Sequence, residues 1–129
     1  MSRSIFSTVL ALLLAFGTAQ ASEWVSIGKG SNGNLEFFAD VSSIGISGET
    51  RRAWIKTIYL PDKGHALERM AFNCAEGTMR WEASTLYSRD GSELGGEAPG
   101  TFPTPWKPIP PDTNGSAIME FVCKWKPKK

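Results

Sequence analysis

Between residues 51 and 60 the chain alternates. Ala53, Ile55, Thr57 and Tyr59 point one way and Arg52, Trp54, Lys56 and Ile58 the other, a period of two that predicts a β-strand. The same period recurs over residues 67–73, with Met70, Phe72 and Cys74 on one face, and again from Met79 to Tyr87. In that last run Met79, Trp81, Ala83, Thr85 and Tyr87 are expected on the covered side of a sheet and Arg80, Glu82 and Ser84 on the wet side. Residues 23–27 and 34–41 read as two more strands around a glycine-rich turn at 28–33. Asp90-Gly91 favours a type I′ hairpin, which predicts a short, glycine-broken edge strand at 93–97. Behind Asp112 or Thr113 as N-cap the period changes, and Ala117, Ile118, Phe121 and Val122 fall on one face of a short helix.

These elements predict an α+β fold. A single antiparallel sheet of about five to six strands carries a short C-terminal helix on one face. Between sheet and helix, Pro103, Pro105, Pro108, Pro110 and Pro111 pre-set an extended path. That path is expected to cross the sheet edge and pin Trp106 and Ile109 into the core.

The first residues change what the rest can be. Arg3 precedes an apolar run from Ile5 to Phe16 and then Ala19-Gln20-Ala21, the pattern of a cleaved secretory leader over residues 1–21. The run is shorter than the roughly 20 apolar residues that span a bilayer, and no second such run follows, so no transmembrane segment is expected. Ser22 stands where a lipoprotein carries its cysteine, so no lipid anchor is expected. What remains is one small domain over residues 22–123 and a basic tail over 124–129 with Lys124, Lys126, Lys128 and Lys129. An exported chain with two cysteines, Cys74 and Cys123, allows one intramolecular disulfide, with free thiols or an intermolecular bridge as the alternatives. Such a bond would tie the helix to the sheet.

Candidate chemistry is sparse. Fourteen Lys and Arg face thirteen Asp and Glu, and removing Arg3 with the leader balances them, so no footprint for nucleic acid exists. Gly28, Gly30 and Gly33 match a dinucleotide-binding spacing, but the aromatic, strand-like run after them supplies no helix N-terminus for a pyrophosphate. His65, the only histidine, lies in a turn with Pro61 and Gly64, where no free cysteine can join it on a metal. Without a nucleophile–base pair or clustered carboxylates, no catalytic, cofactor or metal site is expected. Arg80 and Glu82, two apart on an open face, read as a cross-strand charge lattice. With Trp54 and Lys56 on the mixed face of the best strand, they form the candidate binding surface.

In their order along the chain these pieces resemble the bacterial surface-adhesin protein E family. The resemblance rests on Trp24-Val25, Phe37-Phe38-Ala39-Asp40, Arg52-Ala53-Trp54-Ile55-Lys56-Thr57, Cys74, Tyr87-Ser88-Arg89-Asp90-Gly91, Trp106-Lys107-Pro108-Ile109-Pro110-Pro111 and the terminal Cys123. It implies a sheet-and-helix domain closed by a disulfide, binding to host extracellular-matrix or serum proteins, and a homodimer. The best-known member is a lipoprotein, so the missing anchor cysteine leaves an exported protein of the periplasm, the medium or the cell surface. A periplasmic protein partner fits such a chain as well. So does inhibition of a lytic enzyme by an inserted loop, residues 28–33 or 61–65.

Overall fold

The computed structural model describes residues 21–61, 64–96 and 100–127. Residues 1–20 of the expected leader, Asp62 and Lys63 in the predicted turn, Glu97 at the end of the predicted edge strand, and Lys128 and Lys129 lie outside them.

Three ten-residue strands form the middle of the sheet: β4 (Thr50–Tyr59), β5 (Gly64–Asn73) and β6 (Thr78–Tyr87). With β1 (Trp24–Gly30), β2 (Leu35–Asp40) and β7 (Glu93–Gly96) they pair antiparallel in the order β1-β2-β4-β5-β6-β7. All six expected strands are present, but the sheet has eight. The additional pair are short and hide in breaker-rich sequence. β3 (Gly45–Ser47) folds back on β4 through Gly48, whose φ of 61° suits glycine. β8 (Lys107–Pro108) lies in the proline stretch, where it pairs with β6 at Thr78 and Met79. A proline is tolerated there because an edge strand bonds on one side only.

The hairpin after β6 also differs from expectation. Type I′ needs positive φ at both central residues. Among the described non-glycine residues only Asn32 and Asp112 have it, and Ser88–Ser92 instead form a wider loop in which Gly91 N–H bonds Ser88 O at 3.0 Å. Asp90 fastens that loop, accepting from Ser88 Oγ, Ser92 Oγ and Ser92 N–H.

One face of the sheet is covered by α1 (Asn114–Lys124). Thr113 caps it: its Oγ1 accepts from Ser116 N–H, while its own N–H donates to Ser116 Oγ. Ile118 and Val122 then pack onto Phe37, Ala39, Ala53, Ile55, Met70, Phe72 and Met79. Phe72, Ile55 and Val122 are fully buried, each worth about 1.5–3 kcal/mol of transfer free energy. The far end of α1 is held twice. Cys74 and Cys123 form the intramolecular disulfide at a Cα–Cα distance of 5.8 Å. Arg51 Nη1 donates to the carbonyls of Val122 at 2.9 Å and Trp125 at 2.6 Å.

Three sequence expectations change here. His65 belongs to β5, where it is half-buried and stacks on Tyr87 with ring centroids 4.8 Å apart, because pairing with β4 continues to the Tyr59–Gly64 pair. In β6 the strict alternation fails at Glu82: Met70 pairs with Trp81 but Arg69 pairs with Ala83, a β-bulge that leaves Glu82 unpaired in the ladder. Beyond it every side chain changes side, so Ala83, Thr85 and Tyr87 join Arg80 and Glu82 on the open face and Ser84 moves to the helix side.

Trp106 is 39% exposed, and so outside the core. The proline strap runs along the outer edge of β6, where Thr104 N–H and Oγ1 both bond the Trp81 backbone at 2.9 Å. Successive residues of an extended strap project to opposite sides. Trp106 therefore meets Arg80 on the open face, while Lys107 and Ile109 lie on the helix side, Ile109 against the core as expected.

Candidate functional site

The helix-free face gathers the four candidate residues on β4 and β6, the two strands that flank β5. On β4, Trp54 pairs in register with Arg69 and Lys56 with Leu67; on β6, Arg80 pairs with Ala71, while Glu82 occupies the bulge. Antiparallel partners directly opposite each other share a face. Arg52 and Arg69 follow from the same register.

Glu82 is the centre of the arrangement. The bulge puts its carboxylate beside three guanidinium groups: Arg52 Nε at 2.9 Å, Arg80 Nη2 at 3.0 Å and Arg69 Nε at 3.6 Å. Burial pushes the Glu82 carboxyl up, but the hydrogen bonds and charges of Arg52 and Arg80 outweigh it, so its pKa lies below the ordinary glutamate value. One carboxylate against three cations leaves the patch locally positive, and Arg69 is the most exposed of the three. Arg80 also lies over the Trp106 ring, 4.8 Å from its centroid.

A second cluster adjoins it toward β1. Lys56 Nζ lies 4.4 Å above the Trp24 ring, a cation–π contact. Trp24, Trp54 and Leu67 line a shallow depression of about 220 Å³ above Asp40. Asp40 itself is buried and committed, accepting from Glu23 N–H and from the Ser42 N–H and hydroxyl. It organises the strand ends rather than offering a free carboxylate. The face as a whole presents cations and tryptophan rings that a partner can meet without displacing core side chains.

The sequence reading placed Trp54, Lys56, Arg80 and Glu82 on this face but missed Trp24, Arg69 and Trp106 as their companions. Strand parity alone puts Arg52 beside Trp54. Parity in β5 likewise puts Arg69 on the face opposite the covered Met70, whereas the bulge that seats Glu82 among the arginines and the strap crossing that brings in Trp106 have no such signal. Among the described residues no group of three or more His, Cys, Asp or Glu could hold a metal ion, and no helix is long and apolar enough to cross a membrane.

Comparison with curated proteins and with solved structures gives no significant match. The family model for surface-adhesin protein E, in contrast, matches residues 24–124, the whole span from β1 to the end of α1. The chain belongs to the surface-adhesin protein E family.

Proposed function

We propose that the chain is an exported, non-catalytic binding domain of the bacterial envelope, which engages a protein partner through the helix-free sheet face. The observation that carries this reading is the Arg52–Arg69–Arg80 cluster around Glu82, flanked by Trp54 and by the Lys56–Trp24 pair. Tryptophan and arginine are the residue types that most often dominate binding energy at interfaces, and a local excess of guanidinium favours a partner with exposed carboxylates. Family membership supports adhesion, so the partner class is an acidic patch of a host extracellular-matrix or serum protein.

The test uses the processed protein against a panel of purified matrix and serum proteins on a biosensor surface. Trp54→Ala and Arg69→Glu, both on the open face, should each weaken binding at least tenfold, and salt should weaken it too. Unchanged binding by both variants would remove the face from the reading. The compartment is tested by treating intact cells with a protease too large to enter the periplasm. Loss of the chain while a cytoplasmic control survives supports display outside; survival until the outer membrane is breached redirects the partner search to periplasmic proteins.

A further inference from the structure

On the opposite, helix-bearing side the strap and the first turn of α1 part over the sheet and leave a cleft of about 350 Å³. That volume falls within the roughly 300–1,000 Å³ of small-molecule pockets. Its walls are apolar: Phe37, Met70, Met79, Ile109 and Ile118 among them. Thr57, Tyr59, Thr113 and Asn114 also line it, and its charged groups and its tryptophan are ordered along the strands. Lys107, in register with Met79, stands at one end; Glu68, in register with Ser84, stands at the other; Trp81 and Met70 form the pair between them.

Trp81 is the unusual member. Both of its backbone polar groups are bound to Thr104, and Lys107 Nζ lies 4.5 Å from its ring centroid. Its indole Nε1–H, by contrast, is buried and has no hydrogen-bond partner, the one such side-chain atom among the described residues. A buried donor without an acceptor is costly and calls for an explanation. Here the ring lines a cleft and a lysine ammonium stands over it.

We infer that this cleft binds a small amphiphile whose carboxylate accepts from Trp81 Nε1–H and pairs with Lys107, and whose apolar body lies against Phe37, Met70, Met79 and Ile118. The placement of the groups fixes the direction: carboxylate toward the strap at Lys107, apolar end along the sheet. A free carboxylic acid and the C-terminal residue of a peptide share this chemistry. The site is independent of the open face, since the two lie on opposite sides of the sheet.

The experiment is an ¹H–¹⁵N correlation titration of the processed protein with octanoate, following the indole signals. Trp81 is assigned as the one that disappears in Trp81→Phe, and 1-octanol serves as the uncharged control. The expected result is a saturable movement of the Trp81 indole signal, with octanoate bound about tenfold more tightly than octanol, as one charge-assisted contact predicts. Lys107→Met, a change at an exposed edge position that leaves the fold intact, should remove that advantage. N-acetyl-leucine in place of octanoate distinguishes the sources: tighter binding of it assigns a peptide C-terminus, weaker binding a free acid. Equal binding of octanoate and octanol, an unmoved Trp81 signal, or a Lys107→Met protein that keeps the preference would each overturn the inference.

Discussion

Arg52 on β4 reaches across β5 to hold Glu82 on β6, Nε to Oε1 at 2.9 Å, and Ala71, the residue in register between Arg52 and Arg80, is fully buried. A small residue at that point lets the bridge close over the middle strand. Glu82→Gln removes the only carboxylate among three guanidiniums. We expect it to lower stability by about 1–2 kcal/mol, the scale of a charge-assisted bond discounted for partial exposure. The deficit should shrink in high salt, because what remains is like-charge repulsion. Urea unfolding at low and high ionic strength measures both; a variant as stable as the parent at low salt would show the cluster to be energetically idle.

The Cys74–Cys123 bond spans 49 residues of chain, so its main expected effect is on the unfolded state. Loop closure of that size corresponds to about 4 kcal/mol in the chain-entropy model. The double variant Cys74→Ala/Cys123→Ala should lose about 3–4 kcal/mol yet keep its helix docked at neutral pH, because Arg51 still holds the Val122 and Trp125 carbonyls. Hydrogen exchange separates the two statements. Faster exchange throughout the domain reports the global loss, whereas selective exposure of α1 amides would mean that Arg51 alone does not hold the helix.

Acid should destabilise the fold in two stages. His65 has its pKa lowered, first by burial and then by the charge of Lys56; Asp90 is drawn down to about 2 by hydrogen bonds from Ser88 and Ser92; Glu82 is lowered as described. All three bind a proton less readily folded than unfolded, so each contributes stability that is full above its unfolded pKa and is lost as pH falls. The His65 part is lost first, below about pH 6.5, and the two carboxylate parts below about pH 4. His65→Gln should flatten the upper stage and leave the lower one. Thermal unfolding from pH 8 to pH 2 provides the curve, and NMR titration of Ser88→Ala/Ser92→Ala should find Asp90 back near the ordinary carboxylate range.

How much of this was legible in the sequence follows from what each signal depends on. Period-two alternation named the three long central strands, short strand-like runs beside a glycine-rich turn named β1 and β2, the Asp90-Gly91 turn named β7, and the 3.6 period behind Asp112 or Thr113 named α1; the periods are legible because burying one face of an element imposes them. The disulfide needed only two cysteines and the expectation of export. The bulge at Glu82 was not visible: one unpaired residue leaves the local composition unchanged while reversing the side of every residue after it. Nor was the fate of Trp106, since proline fixes the strap's direction but not which face its tryptophan reaches. The candidate face survived these errors because Trp54, Lys56, Arg80 and Glu82 all lie at or before the bulge. The cleft beside Trp81 is lined by β2, β4, β5 and β6 together with residues 107–118, a combination that no local pattern reports.

Gly30, on the edge strand β1, leaves room for the start of α1 and for a core ring. A Cβ there would lie 2.4 Å from Asn114 Oδ1 and 2.9 Å from Phe37 Cε2. The Asn114 side chain is exposed and can swing away, but Phe37 is a core ring packed among Ile55 and Ile118 and has little room to yield. Gly30→Ala should therefore cost about 1–3 kcal/mol, the usual range for overpacking. Adding Asn114→Ala should recover only the part due to the flexible side chain. Gly45→Ala is the control: nothing lies within 4 Å of its added Cβ, so it should be neutral or slightly stabilising in β3. Urea unfolding of the three variants decides the point. Full recovery in the double variant would place the constraint on Asn114 alone, and a neutral Gly30→Ala would mean that β1 and α1 separate more easily than their packing implies.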